Sequence, residues 1–396
     1  MKKLVKQALV LITIFGLVSL LGDIIYEGAR GITGQYLQIL GASAAIIGFF
    51  TGLGEFLGYA LRAVSGYISD KTKSYWLLTF LGYALLLSIP LLAFAGNWQV
   101  AIFFIILERI GKAIRNPARD TIISYSAKKV GTGFGFGIHE FLDQIGALLG
   151  PLLISIFFLN FKTVSLAEYK QAFSLLLIPF FVLMIFLLFA YLFFRHAKIE
   201  KERKKESKKL TRIFWIYVLF VLATTLGFIN FVILGYHFKF NKIIPEAQIP
   251  LLYSLAMIVD AITALLIGKA YDKLEKKGKK LGLLLLILLP LLTLTIPFLV
   301  FAYSLALIIL GVVIFGIVIG SHETIMRAAI ADITPISKRG SAYGIFTAFY
   351  GFASLIGSAL IGIFYEFSIF YLTVFVLVTQ IFALLIFLVL KKGLCS

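Results

Sequence analysis

Charged side chains recur at helical spacing in the middle of an apolar chain. Glu108, Lys112, Arg115 and Arg119 stand at i, i+4, i+7 and i+11, which is one face of a helix. Arg109 and Asp120 adjoin that row. A second row follows in His139, Asp143, Gly146 and Gly150, with Glu140 beside it, Gly137 before it and Pro151 after it. Charge inside apolar matter is costly. Where it persists in a membrane helix, it marks an ion, proton or substrate path. A carboxyl in apolar surroundings favours its neutral form, more so beside a second acid, so such groups can take up and release protons.

The elements that must hold these residues are membrane helices. Of 396 residues, 61% are hydrophobic and 14% charged, and the mean hydropathy is +1.01. A soluble domain is about half apolar and a quarter charged. Apolar runs of about 20 residues recur along the chain, each long enough to cross a bilayer. Twelve spans are expected, at about 8–30, 42–66, 75–95, 98–116, 132–158, 171–194, 213–236, 248–270, 280–301, 303–326, 341–365 and 367–390. The fourth is expected to break at Pro117. The first follows Lys2, Lys3 and Lys6, lacks a small-residue cleavage site, and reads as a retained span.

The net charge of +18 sits in short connections, not in a patch that would grip nucleic acid. Basic clusters fall in alternate loops, at the termini and in the segment 195–212. The bias towards basic cytoplasmic loops then places both termini in the cytoplasm and the chain in the plasma membrane. The single cysteine, Cys395, allows no disulfide within the chain, and no Cys/His spacing suggests a metal.

The halves echo each other. GYISDKTKSYW (Gly66–Trp76) and GKAYDKLEKKG (Gly268–Gly278) share G-x-x-x-D-K, and ARDTIISYS after Pro117 parallels MRAAIADIT at Met326. The expected architecture is all-α: two pseudo-symmetric six-helix bundles, 1–194 and 213–396, joined by a linker at 195–212. Duplicated halves of this kind are a transporter signature.

At these loops the chain resembles the major facilitator superfamily over its whole length. Gly66, Asp70 and Lys71 match the family's loop motif, although Lys73, Ser74 and Tyr75 replace its usual Gly-Arg-Arg/Lys ending. The resemblance implies a cytoplasmic gate, to which we assign Gly66, Asp70, Lys71, Arg115, Arg119, Asp120, Gly268, Asp272, Glu323 and Arg327. Gly137, Gly146, Gly150 and Pro151 match the fifth-span motif of antiporters in this superfamily, with Ile154 and Ser155 where its final Gly-Gly would stand. The resemblance implies a hinge there, and export. Arg109 is the nearest match to the family's fourth-span arginine, with Ala113 in place of the glycine expected after it.

The remaining candidates for proton or substrate binding are Asp23, Glu27, Arg30, Glu55, Glu108, Arg109, Lys112, His139, Glu140, Asp143 and Asp260. Glu108 and Arg109 are expected to face Glu140 and Asp143. Acids outnumber bases at mid-depth in this set, which suggests proton coupling through Asp23, Glu140 and Asp143, and a cationic or amphiphilic cargo. Arg109 with Lys112 keeps open an organic anion, taken up by symport or facilitation. The expected partners are a small-molecule substrate and the bilayer, with the chain a monomer, no cofactor, and the proton gradient as energy source. No nucleophile motif or phosphate loop suggests an enzyme, and no signalling domain suggests a sensor.

Overall fold

The computed structural model describes residues 2–195, 210–277, 280–334 and 338–395. Most of the expected linker therefore lies outside the described residues. So do the side chains of Lys128, Lys129 and Arg327.

The chain is 89% helical, with no strand among the described residues. The helices are α1 (Lys2–Ile39), α2 (Ala44–Thr72), α3 (Tyr75–Ala84), α4 (Trp98–Val130), α5 (Thr132–Phe158), α6 (Leu166–Leu175), α7 (Leu177–Phe194) and α8 (Arg212–Leu226). They continue as α9 (Phe231–Phe240), α10 (Ile249–Lys277), α11 (Leu288–Thr293), α12 (Ile296–Val300), α13 (Leu305–Ile333), α14 (Arg339–Phe367) and α15 (Ile369–Cys395).

Polar and glycine residues punctuate these apolar runs. Asn97 caps α4 by accepting from the Val100 N–H at 2.9 Å, and Asn230 caps α9 through Ile233 at 3.1 Å. Ser165 and Glu168 form a capping box on α6. Gly41 ends α1 with φ of 86°, and Gly131 divides α4 from α5 with φ of 102°.

Eleven stretches among the described residues are long and apolar enough to cross a membrane. The twelfth, α4, has 33 residues and ample length, but its charges exclude it on composition. The helix does not break at Pro117, as expected from sequence, but runs through it. A proline inside a membrane helix is tolerated where neighbouring groups satisfy the freed carbonyl. The Pro117 carbonyl accepts from the Thr121 hydroxyl at 2.8 Å. Large apolar side chains such as Phe181, Ile185 and Phe193 point outward, as a chain solvated by lipid requires.

The chain forms two compact units. One comprises Met1–Ala42, Leu57–Glu202 and Pro245–Ser254; the other comprises Ser43–Phe56, Arg203–Ile244 and Leu255–Ser396. Thus α2 and α10 each contribute to both. In the first unit the start of α10 is tied down by Ser155 donating to the Ala247 carbonyl at 2.6 Å and Tyr169 donating to Glu246 at 2.7 Å. In the second, the Ala45 N–H donates to Glu366 at 2.8 Å. The second unit's core packs Phe214, Tyr217 and Phe220 against Phe346 and Phe387, with Tyr217 donating to the Met326 carbonyl at 2.7 Å.

Backbones touch at several glycine crossings, and one in each unit illustrates the geometry. In the first, α5 lies on α1, and a methyl group at Gly146 would stand 2.3 Å from the Leu20 carbonyl oxygen. In the second, α14 lies on α8, and a methyl at Gly357 would stand 2.3 Å from the Leu226 carbonyl oxygen. Small residues permit such approaches between membrane helices. Gly146 and Gly150 therefore seat α5 on α1. Gly137, the first glycine of the series, is exposed with no neighbour within 4 Å. Gly150→Leu should cost about 1–3 kcal/mol by overpacking, while Gly137→Leu should be silent. Melting of the purified chain in detergent checks this; equal melting of the two variants would show that the crossing is loose.

Candidate functional site

Three helices bring the chemistry together in the first unit. On α4, Glu108 is buried at 1% exposure and its Oε1 lies 3.4 Å from Arg115 Nη2. Its Oε2 lies 3.8 Å from Arg109 Nε. Arg115 was expected at the cytoplasmic rim. It is 3% exposed and tied inside the unit: it also donates to the Gly82 carbonyl at 3.3 Å, and its guanidinium lies 5.0 Å from the centre of the Tyr83 ring. Arg119, also assigned to the gate, reaches inward: Nη1 donates to Ser19 Oγ at 3.0 Å, while Nη2 pairs with the half-exposed Asp120 at 2.9 Å.

The α5 row faces α1. His139 Nε2 is hydrogen-bonded to Ser19 Oγ at 2.9 Å. Asp143, one turn on, lies within electrostatic reach of Asp23 on α1 and of Lys112 and Arg119 on α4. Glu140 follows His139 directly, so it points about 100° round the helix and is exposed.

Tyr26 of α1 stands at the centre. Its hydroxyl accepts from Arg109 Nη1 and, at 3.1 Å, from Arg30 Nη1. Its ring centre lies 3.9 Å from Lys112 Nζ, 4.7 Å from the Arg109 guanidinium carbon and 5.7 Å from that of Arg30. Cations favour the electron-rich ring face, and more strongly away from water. Glu27 offsets them. Its Oε1 lies 3.8 Å from Arg30, and its Oε2 accepts from the Tyr253 hydroxyl of α10 at 2.6 Å.

Tyr26, Ser19 and Tyr253 were not anticipated. For two of them a signal existed, because Ser19, Asp23, Tyr26 and Arg30 repeat the i, i+4, i+7, i+11 spacing of the α4 row. Tyr253 is 226 residues from Glu27, and nothing local points to it.

Glu55 is half-buried on the part of α2 that belongs to the second unit. Asp260 of α10 is buried against Gly320 of α13 in the same unit. Gly66 packs near Pro117, and Gly268 near Thr324. Asp70, Lys71 and Asp272 are exposed near helix ends, and Glu323 is exposed within α13. Pro151 lies against α1 at Gly31. Among the described residues no group of His, Cys, Asp or Glu could hold a metal ion.

The sequence profile of the Major Facilitator Superfamily matches residues 8–321 and 213–393. An uncharacterized protein of Mycobacterium tuberculosis is 35% identical over 387 residues, which cover 94% of this chain and 91% of that one. An uncharacterized MFS-type transporter of Methanocaldococcus jannaschii is 29% identical over 381 residues, 90% of this chain and 88% of that one. Among solved structures, a POT family transporter in complex with 5-aminolevulinic acid superposes with a TM-score of 0.75 at 14% identity, covering 97% of this chain and 96% of its own. A bacterial homolog of the human lysosomal transporter Spinster, inward-facing and unoccupied, gives 0.71 at 13% identity over 100% and 98%. These likenesses show the fold, and they point to a transporter rather than an enzyme. With its profile match across the chain, its membrane-length helices and these neighbours, the chain belongs to the major facilitator superfamily and is an integral membrane protein built for secondary transport.

Proposed function

We propose that the chain is a proton-coupled secondary active transporter of a small molecule. The reading places it in the plasma membrane as a monomer with both termini cytoplasmic, its duplicated halves, 1–194 and 213–396, rocking about a central site. The proton gradient supplies the energy and no cofactor takes part. The carrying observation is that Asp23 and Asp143 stand beside the α1–α5 crossing, where Gly146 meets Leu20 and Gly150 meets Ile24, within electrostatic reach of each other and of Lys112 and Arg119. Two acids so placed can share a proton, and a neighbouring cation makes the site sensitive to what else binds there.

Two directions of coupling have support. Export in exchange for protons is favoured by the resemblance of Gly137, Gly146, Gly150 and Pro151 to the antiporter motif. Those glycines that pack at all press on α1, which serves helix packing whichever way cargo moves. Movement of solute and proton together is favoured by the cations round Tyr26. Vesicles holding the purified chain and an internal pH dye separate them. A solute that enters and acidifies the interior indicates symport; one that enters and makes it alkaline indicates exchange. Solute entry with no proton movement would sink the coupling.

A further inference from the structure

Of the cations round the Tyr26 ring and its α4 neighbours, Lys112 is the least compensated. Arg115 has Glu108, Arg119 has Asp120, and Arg30 has Glu27. Arg109 shares Glu108 and donates to Tyr26. Among the described residues, Lys112 makes neither an ion pair nor a hydrogen bond. Its ammonium stands 3.9 Å from the Tyr26 ring centre and feels Asp23 and Asp143 only through space. An ammonium with three donors and no acceptor is an incomplete arrangement in a low-dielectric site.

We propose that Lys112, with Arg109 and Arg30 round the Tyr26 ring, receives an anionic oxygen group, a carboxylate or phosphate, of the transported solute, and that this group binds together with a proton on the Asp23–Asp143 pair. The second clause rests on the proton-coupled reading above. A proton on either aspartate removes a negative charge that Lys112 faces, and leaves its field to an incoming anion. By reciprocity, the bound anion holds the proton in place. Solute and proton then travel in the same direction. A cationic cargo would meet three cations round one ring.

The surrounding charges do not cancel this linkage. From α4, Arg115 and Arg119 add positive potential and are already paired. From α1, Glu27 is held by Arg30 and by Tyr253 of α10. From α5, His139 is occupied with Ser19, and from α3, Tyr83 lies under Arg115.

The test is thermal stabilisation of the full-length chain in detergent by benzoate, by inorganic phosphate and by tetraphenylphosphonium, each at about pH 5.5 and about pH 8. A ligand that binds the folded protein raises its melting temperature. The expected result is stabilisation by at least one anion, tighter at the acidic pH, and none by the cation; which anion acts tells carboxylate from phosphate. Lys112→Gln should weaken the apparent affinity roughly tenfold or more, the scale of a lost hydrogen bond to a charged group, and Lys112→Arg should restore much of it. Stabilisation by neither anion, stabilisation by the cation alone, or an anion effect indifferent to Lys112→Gln would overturn the anion site. An anion effect that depends on Lys112 but is equal at both pH values would overturn the linkage and the proton-coupled reading, while sparing the anion site.

Discussion

Asp143→Asn is expected to abolish transport driven by a pH gradient while leaving solute exchange intact. Asparagine has the shape of aspartic acid and mimics its neutral form permanently. The variant can still cross the membrane loaded, but it cannot release a proton at this site. Solute trapped on one side should therefore still exchange with labelled solute on the other, while accumulation against a gradient disappears. The substitution removes no methylene and leaves the Gly146–Leu20 crossing untouched, so melting should stay close to wild type. Wild-type accumulation by Asp143→Asn would remove this residue as a carrier and shift the role to Asp23. Loss of exchange and accumulation together, in a folded protein, would mean that Asp143 touches the solute.

The second large effect concerns stability. Arg115→Ala leaves the Glu108 carboxylate buried at 1% exposure, with Arg109 beside it at the longer distance of 3.8 Å. Removing one member of a buried ion pair typically costs about 3–5 kcal/mol, because the other charge is left behind. It also frees the Gly82 carbonyl and opens space beside Tyr83. Glu108→Leu combined with Arg115→Met removes both charges and keeps the volume, and should recover most of the loss. Denaturation of the two variants beside the wild type reads the difference directly. A double variant as unstable as Arg115→Ala would show that Glu108 serves a purpose other than pairing.

The helices and their chemistry were legible to different depths. Apolar runs, basic loops and the repeated G-x-x-x-D-K predicted an all-helical membrane chain, because the bilayer imposes length and composition on every span. Charged rows on α4 and α5 were readable because a 3.6-residue period turns spacing into a shared face. That logic applies equally to Ser19, Asp23, Tyr26 and Arg30, yet a search for charge passes over a serine and a tyrosine. It also explains why Glu140, one residue from His139 in sequence and a quarter turn away in space, is exposed while His139 is buried. Distance along the chain hid the Tyr253–Glu27 bond. The burial of Arg115 was not legible either, because α4 continues through Pro117 and the partners that enclose this arginine, Gly82 and Tyr83, come from another helix.

The position of α1 has a consequence for how the protein is made. Asp23, Glu27 and Arg30 are carried by α1, which is synthesised before α4 and α5, whereas Arg109, Lys112 and Asp143 exist only after α2 and α3 have been produced. Each charge near the bilayer centre is costly to leave facing lipid. Until α4 and α5 emerge, α1 must wait in a place where polar groups are sheltered. Assembly of the first unit thus depends on holding its first helix back from lipid until its partners arrive.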